Sequence, residues 1–300
     1  MDTPLPTLLV TGASGQLGGA VVRHLLDTLQ FPAERLIATS RNPDALADLA
    51  ARGVTVRAAD FDQPDTLAAA FAGADRLLLV STDALIEPGK RLAQHRAAVQ
   101  AAVEAGVPHV VYTSLPSADT SHVSFAPDHL GTERALSTSP LTWTVLRNAW
   151  YFENLAYTLP GALASGEWAS ASGDGRIAYI ARDDLARAAA VALASGNTTN
   201  RTLTLTGAQA YSARDIAARV STLTGKPLSV VDITPAQQVE GLRAHGFPPV
   251  LADVFASFDV ATAAGDLGEV TDDYVQLTGQ SPTALDAWLP ANLERVTTAH

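Results

Sequence analysis

Short apolar runs alternate with Ala-rich amphipathic stretches along the first half of the chain. Six apolar runs predict strands at Leu8–Thr11, Arg35–Ser40, Val54–Ala58, Arg76–Ser81, His109–Ser114 and Thr142–Arg147. The stretches between them predict helices at Gln16–Leu29, Pro43–Arg52, Thr66–Phe71, Lys90–Ala105 and Asp128–Leu136. Strands that are apolar throughout and separated by helices are typical of a parallel sheet covered on both faces. The sequence therefore predicts an α/β fold with a doubly wound parallel sheet.

The regular alternation of predicted strands and helices ends after Arg147. An aromatic-rich segment, Trp150–Ser165, predicts a helix. Beyond it the pattern predicts short strands at Ile177–Ile180, Thr202–Thr206 and Leu228–Ile233, helices at Arg182–Ala194 and Ser212–Leu223, and a helical tail broken near Gly246–Pro249 and Gly265–Gly268. We expect a first domain over residues 1–147 and a smaller α/β lobe over 148–300. The stretch 176–195 fits either the lobe or the sheet of the first domain.

Composition narrows the class of protein. The 300 residues are 47% hydrophobic, which is enough to form a core and argues against disorder. A net charge of −11 argues against nucleic acid or an anionic membrane as partner, because both attract basic surfaces. The chain has no cysteine, no apolar run of membrane-spanning length and no basic, signal-like start. We expect a cytoplasmic protein without a metal site, and leave open whether it forms a homodimer.

A glycine-rich turn gives the first candidate site. The segment LLVTGASGQLGG runs from a short apolar strand through Gly12, Gly15 and Gly18 directly into a predicted helix. Glycines let a backbone approach a pyrophosphate closely, and the N-terminus of a helix offers free N–H groups to it. The pattern predicts a Rossmann-type dinucleotide site, although its G-x-x-G-x-x-G spacing differs from the usual G-x-G-x-x-G.

The ends of the later strands suggest which dinucleotide binds. The second strand ends in Ser40 and Arg41, where NAD-binding proteins usually have an acidic residue. A guanidinium at this position can bind a 2′-phosphate, so Arg41 favours NADP(H) over NAD(H). Further polar or aromatic residues follow the third, fourth and fifth strands and are expected beside the adenine, the second ribose and the nicotinamide, respectively: Asp60 with Phe61, Ser81 with Thr82, and Thr113 with Ser114.

The G-x-x-G-x-x-G spacing resembles that of extended and atypical short-chain dehydrogenases/reductases. The usual catalytic pair of that superfamily, Tyr-x-x-x-Lys, does not occur between Ser114 and Arg147. Reduction of a simple ketone produces an alkoxide with a pKa of ~16 and needs a positioned acid, whereas a reduced quinone resembles a phenolate with a pKa of ~10. The absence therefore favours electron-poor conjugated acceptors, or no turnover. The nearest residues in register are His129 and Glu133. His129 is either a proton donor or hydrogen-bond partner of the substrate, or a partly buried structural histidine paired with a neighbour such as Glu133.

Several segments together resemble the NmrA-like atypical short-chain dehydrogenases/reductases. Within that family the similarity is to bacterial NAD(P)H:quinone oxidoreductases of type 2 and to triphenylmethane dye reductases. It is carried by TGASGQLGG, by SRNPDALADLAARGVTVRAADFDQPDTL, by YTSLPSADTS, by LRNAWYFEN and by GDGRIAYIARDDLA. Together these segments cover most of residues 7–190.

The resemblance implies a Rossmann-type domain, a small C-terminal domain and a cleft between them for the nicotinamide and an aromatic acceptor. By position, it implies that the pyrophosphate is surrounded by Gly12, Ser14, Gly15, Gln16 and Leu17. Arg41 is expected to bind the 2′-phosphate, with Thr113 and Ser114 under the nicotinamide ribose. Asn148, Trp150 and Tyr151 would line the cleft, and the family pattern favours a site role for His129.

The function expected from these features is that of an NADPH-dependent oxidoreductase that passes hydride to quinone-like or conjugated aromatic acceptors. Two alternatives stay open. One is a regulatory protein that senses NADP(H) without turnover, and the other is a reductase of triphenylmethane dyes or other xenobiotics on the same scaffold.

Overall fold

A seven-stranded sheet forms the centre of the first half of the molecule. The computed structural model describes residues 5–298. The strands of its main sheet are β1 (Leu8–Val10), β2 (Leu36–Ser40), β3 (Thr55–Ala58), β4 (Arg76–Leu79), β5 (His109–Ser114), β6 (Thr142–Asn148) and β8 (Arg201–Leu205). Their order in the sheet is β3-β2-β1-β4-β5-β6-β8. Neighbouring strands from β3 to β6 pair in parallel. The order 3-2-1-4-5-6 is that of the Rossmann fold, which confirms the fold class predicted from the sequence.

The inner strands are apolar because helices cover both faces of the sheet. All residues of β1, β2, β4 and β5 are buried, whereas the edge strand β3 is partly exposed. The helices along this part of the chain are α1 (Gln16–Arg23), α2 (Ala47–Ala51), α3 (Leu67–Phe71), α4 (Lys90–Glu104), α5 (Ala126–Ser137) and α7 (Arg182–Ala194). A π-helical turn at His24–Thr28 continues α1, and a 3-10 turn at Pro43–Leu46 precedes α2.

The chain divides into two compact units. The first contains residues 5–114, 128–147 and 183–203, and the second contains 115–127, 148–182 and 204–298. Helix α7 belongs to the first unit because Arg76 on β4 donates to the carbonyl oxygens of Leu193, at 2.7 Å, and Asn197, at 2.8 Å. The division therefore differs from a single cut at residue 147: residues 115–127 join the second unit and 183–203 join the first.

The second unit contains a two-stranded parallel sheet and most of the C-terminal helices. The strands are β7 (Glu167–Ser170) and β9 (Ser229–Asp232), and the helices are α6 (Leu159–Ser165), α8 (Ala213–Thr224), α9 (Pro235–Ala244), α10 (Pro249–Ala264), α11 (Asp273–Thr278) and α12 (Leu285–Thr297). Its mainly aliphatic core contains an aromatic stack, in which the ring of Phe152 lies on Tyr179 and on Trp288 at centroid distances of 5.9 and 5.2 Å. No helix within residues 5–298 is both long and apolar enough to cross a bilayer.

Two predicted elements in this unit are wrong. Trp150–Ser165 is not one helix, and Ile177–Ile180 is not a regular strand. The Ile180 N–H donates to the Trp150 oxygen, and the Phe152 N–H donates to the Ile180 oxygen, both at 3.0 Å. This pairing holds the chain around Tyr151 extended, so only a 3-10 turn at Phe152–Tyr157 and the short α6 follow it.

Candidate functional site

The glycine-rich turn after β1 folds tightly against itself. Gly12 has a φ of +61°, which is the left-handed region that glycine adopts without strain. A Cβ on Gly18 would lie 2.4 Å from the Gly12 carbonyl oxygen, and one on Gly15 would lie 3.2 Å from the same atom. Helix α1 begins directly after this turn, at Gln16. The first amides of a helix have no intrahelical acceptor, so the turn suits an anionic group.

A cavity of about 300 Å³ opens beside this turn. The structure brings ten of the twelve predicted cofactor residues to its wall: Gly12, Ser14, Gly15, Gln16, Leu17, Arg41, Asp60, Phe61, Ser81 and Thr82. These residues follow the carboxyl ends of β1 to β4, where ligands bind in open α/β sheets. The other two, Thr113 and Ser114, are buried at the end of β5 and do not line this cavity.

Polar contacts hold the end of β2 next to the glycine turn. The hydroxyls of Ser14 and Ser40 lie 2.8 Å apart, and the Asn42 N–H donates to the Ser40 hydroxyl oxygen at 3.0 Å. Arg41, which lies between Ser40 and Asn42 in the sequence, is exposed and lines the cavity. Within residues 5–298 its guanidinium forms no ion pair or hydrogen bond. The cavity wall therefore presents a cation that remains available to an anionic ligand.

The far wall of the cavity is built from the ends of β3 and β4. The carboxylate of Asp60 accepts from the Asp62 N–H at 3.0 Å and from the Gln63 side-chain amide at 3.3 Å, so it stabilises its own turn. The Ser81 N–H donates to the Thr113 hydroxyl at 2.9 Å, and the Thr82 N–H donates to His95 Nε2 at 3.0 Å. Thr113 and His95 thus position the segment that carries Ser81 and Thr82.

His129 lies in a buried polar network with Arg91 and Tyr112. Its Nε2 is 2.9 Å from Arg91 Nη2, and its Nδ1 is 2.7 Å from the Tyr112 hydroxyl. A guanidinium can only donate, so Nε2 accepts and the neutral ring carries its hydrogen on Nδ1. Only 3% of His129 is exposed. The structure therefore supports a structural histidine, with Arg91 and Tyr112 as its partners in place of Glu133.

Burial also determines the protonation of this network. Desolvation, helped by the charge of Arg91, lowers the pKa of His129 well below its ordinary value and that of His95 to about 3. Desolvation raises the pKa of Tyr112 above its ordinary value. A proton donor needs a pKa near the working pH, so neither His129 nor Tyr112 has the properties of a general acid. The expectation that His129 titrates in the working range is wrong.

Glu133 belongs to a separate ion pair. Its two carboxylate oxygens accept from Arg147 Nε and Nη2 at 3.0 and 2.7 Å, and the Ser114 hydroxyl donates to one of them at 2.6 Å. The bidentate pair and Ser114 join α5 to the ends of β5 and β6. Because the Ser114 hydroxyl donates to Glu133, it offers only lone pairs to any ligand.

Asn148, in the second unit, is a buried amide without hydrogen bonds. It is 6% exposed, and neither its Oδ1 nor its Nδ2 has a hydrogen-bond partner in residues 5–298. Leaving a buried polar group unsatisfied costs about 1–3 kcal/mol, and such exceptions often mark functional positions.

Tyr151 and Trp150 follow Asn148 but have different surroundings. Tyr151 is partly exposed, and the Arg182 guanidinium lies 5.1 Å from its ring centroid. The Trp150 ring packs edge-on against Phe258 at a centroid distance of 4.4 Å and adjoins the core of the second unit. One face of the Tyr151 ring is thus covered by a cation, whereas Trp150 is mainly a packing residue.

Side chains that no motif predicts also lie at or next to the cavity, among them Asp83, which lines it. Gln94 on α4 lines it, and His95 supports Thr82 from behind. Both lie in a predicted helix without a motif, so no local pattern indicates them. No group of three His, Asp or Glu side chains suited to a metal ion occurs among the described residues.

Comparisons with known proteins agree with this architecture. Residues 5–289 match the NmrA-like family. Quinone oxidoreductase 2 of Escherichia coli is 37% identical over 278 residues, covering 93% of this chain and 96% of that protein. The crystal structure of an Escherichia coli NADPH-dependent quinone oxidoreductase with NADPH matches with a TM-score of 0.90 at 36% identity, over 95% and 99% of the two chains. The Citrobacter sp. triphenylmethane reductase with NADP(H) matches with a TM-score of 0.86 at 34% identity, over 93% and 98%.

Proposed function

The chain belongs to the NmrA-like family, and we propose that it is an NADPH-dependent oxidoreductase that reduces quinone-like or conjugated aromatic acceptors. The observation that carries the proposal is the cavity at the ends of β1 to β4, with its glycine turn and Arg41. The named activities of relatives that align over nearly the whole chain support the same reaction class.

The residues of the first unit fit the cofactor. A Cβ on Gly18 would meet the Gly12 oxygen at 2.4 Å, so the turn keeps the close backbone packing that a pyrophosphate site requires. Gly15, Gln16 and Leu17 would hold the pyrophosphate, and Arg41 the 2′-phosphate. Asp60 and Phe61 would flank the adenine. When bound, the reduced nicotinamide supplies the hydride.

The protonation states of the interior support a restricted range of acceptors. The sequence has no Tyr-x-x-x-Lys in the usual position, and burial keeps His129 neutral and Tyr112 a weak acid. An acceptor whose reduced form is a stable anion, with a pKa of ~10 like that of a phenol, can take its proton from water. A simple ketone cannot do so readily, because its alkoxide has a pKa of ~16. We therefore propose quinone-like acceptors and exclude simple ketones.

Asn148 and Tyr151 are the acceptor-binding residues of the proposal. The unsatisfied amide of Asn148 would donate to a carbonyl oxygen of the acceptor, and Tyr151, with Arg182 over its ring, would contact the edge of a planar molecule. Both would act through binding and orientation, with no proton transfer of their own.

Turnover with a panel of acceptors tests the proposal. Oxidation of NADPH, followed by the absorbance of the reduced nicotinamide, is measured with benzoquinone, a naphthoquinone and cyclohexanone. We expect turnover with the quinones and none with cyclohexanone. Fast reduction of cyclohexanone would contradict the argument from anion stability. Tight NADPH binding without turnover of any acceptor would favour the NADP(H)-sensing alternative.

A triphenylmethane dye belongs in the same panel. The structural match to the Citrobacter sp. triphenylmethane reductase favours a dye as second acceptor class. A cationic triphenylmethane dye is electron-poor and yields a neutral product that needs no acid, so it satisfies the same chemical condition. A kcat/KM for the dye well above that for the quinones would make dye reduction the main activity.

A further inference from the structure

Two buried side chains hold the part of the cavity wall that follows β4. Ser81 and Thr82 line the cavity just beyond the end of that strand. The Ser81 N–H donates to Thr113 Oγ1 at 2.9 Å, and the Thr82 N–H donates to His95 Nε2 at 3.0 Å. Thr113 is 2% exposed and His95 is fully buried, so both act on the wall from behind.

The order of the strands indicates which part of a dinucleotide this segment meets. Strand β1, whose glycine turn would hold the pyrophosphate, lies between β2 and β4. Arg41 follows β2, so the ribose with the 2′-phosphate would lie on that side. Ser81 and Thr82 follow β4, on the opposite side, where the nicotinamide half of the cofactor would continue from the pyrophosphate.

The hydrogen bonds of His95 have a single direction. A backbone amide can only donate, so Nε2 accepts from Thr82 and the ring carries its hydrogen on Nδ1. That nitrogen lies 3.0 Å from Thr132 Oγ1, whose own hydrogen is donated to the Asp128 carbonyl oxygen at 2.7 Å. Desolvation lowers the pKa of His95 to about 3, so Nε2 keeps its lone pair for Thr82 at neutral pH.

Thr113 holds both polar groups of its neighbour. Its hydroxyl oxygen accepts from the Ser81 N–H, and its hydrogen is donated to Ser81 Oγ at 3.3 Å. The Ser81 backbone and side chain are thus fixed by one hydroxyl, and the Ser81 hydroxyl keeps its own hydrogen for a ligand. A valine at position 113 has nearly the same shape as threonine but removes both contacts.

We propose that Thr113 and His95 are positioning residues for the nicotinamide half of the cofactor. Without touching it, they hold Ser81 and Thr82 in the conformation that contacts its ribose. The inference rests on the proposed NADPH function and deepens it. It also replaces the direct contact that the sequence predicts for Thr113. A residue released from its acceptor must be ordered again when the cofactor binds, which should weaken affinity about 5- to 30-fold.

The test compares two replacements of His95 that differ in reach. A glutamine amide can extend to the position of Nε2 and accept from Thr82, whereas an asparagine amide extends only to the position of Nδ1. Titration calorimetry is done with NADPH and with adenosine 2′,5′-bisphosphate, which lacks the nicotinamide half. His95→Asn should weaken NADPH about 5- to 30-fold and leave the bisphosphate unchanged. His95→Gln should restore most of the NADPH affinity.

Thr113→Val and Thr113→Ser provide a second pair, which decides the inference where a His95 variant does not fold. The valine should weaken NADPH alone, and the serine, which keeps the hydroxyl, should restore its affinity. Thr144→Val is the matched control, because Thr144 is a buried threonine on β6 that contacts His109. It should bind both ligands as the unaltered protein does.

Three results have different meanings. Unchanged NADPH affinity in His95→Asn and Thr113→Val would overturn the inference and leave the proposed function standing. Equal losses for NADPH and the bisphosphate, without restoration by His95→Gln or Thr113→Ser, would mean general damage to the fold and would also overturn it. Failure of the unaltered protein to bind NADPH would overturn the proposed function, and the inference with it.

Discussion

His129 and His95 make the stability of the fold sensitive to mild acid. Both are buried and neutral, with pKa values lowered by desolvation, to about 3 for His95 and well below the ordinary value for His129. In the unfolded chain each returns to a pKa of ~6.5. Below that pH the unfolded state therefore binds more protons than the folded state, so the free energy of unfolding falls as the pH falls.

The size of the effect follows from proton counting. Each buried neutral histidine contributes about 1.4 kcal/mol per pH unit once the pH is well below 6.5, or roughly 2 kcal/mol at pH 5. Burial also lowers the pKa of His109 to about 4, which acts in the same direction. His129→Gln removes one of the three histidines that take up a proton on unfolding. Its amide can still accept from Arg91 and donate to Tyr112, so the network can persist.

We expect His129→Gln to reduce the slope of unfolding free energy against pH by about 1.2 kcal/mol per unit between pH 6 and 5. The measurement is urea unfolding, followed by tryptophan fluorescence, at a series of pH values. Val110→Ala is the control, since it removes buried apolar volume without a titrating group. It should lower stability equally at every pH and leave the slope unchanged.

Two results would refute this account of His129. Identical slopes for the unaltered protein and His129→Gln would mean that His129 is not held neutral in the fold. A folded His129→Gln protein that had lost quinone turnover by the ~10²–10⁴ typical of a missing general acid would restore it as a proton donor.

Three further predictions concern the binding residues. Arg41→Ala should weaken the binding of NADPH roughly 10- to 150-fold and change the binding of NADH little, because a charge-assisted phosphate contact contributes ~1.5–3 kcal/mol. Equal affinity of the unaltered protein for both nucleotides would contradict this prediction. Gly15→Val should abolish NADPH binding in calorimetry, because the valine side chain would crowd the Gly12 oxygen, while circular dichroism should show a folded chain. Unchanged NADPH affinity would contradict the assignment of the glycine-rich turn as the pyrophosphate site. Asn148→Ala and Tyr151→Ala should raise KM for the quinone more than they lower kcat, and a fall in kcat alone would argue against acceptor binding.

The parts of the site that the sequence predicted are those whose chemistry is local. Gly12, Gly15 and Arg41 lie within a few residues of a strand end, and the sheet order brings strand ends together without further information. The tight turn at Gly12 and Gly15 and the position of Arg41 at a strand end depend only on residues nearby in the chain. The placement of these residues could therefore be predicted from the pattern of strands and helices.

The predictions that failed concern partners from distant elements. His129 and Glu133 are four residues apart on α5, so pairing between them was a reasonable expectation. The partner of His129 is instead Arg91 on α4, and the partner of Glu133 is Arg147 on β6. The extended segment at Tyr151 similarly depends on Ile180, about thirty residues later. Such pairings require the packed fold, which periodicity does not describe.

The hydrogen-bond partners of the α5 side chains bear directly on the reaction. In a typical short-chain reductase this stretch carries the tyrosine and lysine that deliver a proton. Here the polar residues of α5 are engaged elsewhere: His129 with Arg91 and Tyr112, Thr132 with His95, and Glu133 with Arg147. They fix α5 against β5 and β6, and the pKa of His129 is too low for it to carry a proton at neutral pH. A helix used for support in this way leaves protonation to water, so the stability of the reduced acceptor, more than any side chain, should decide which molecules this protein can reduce.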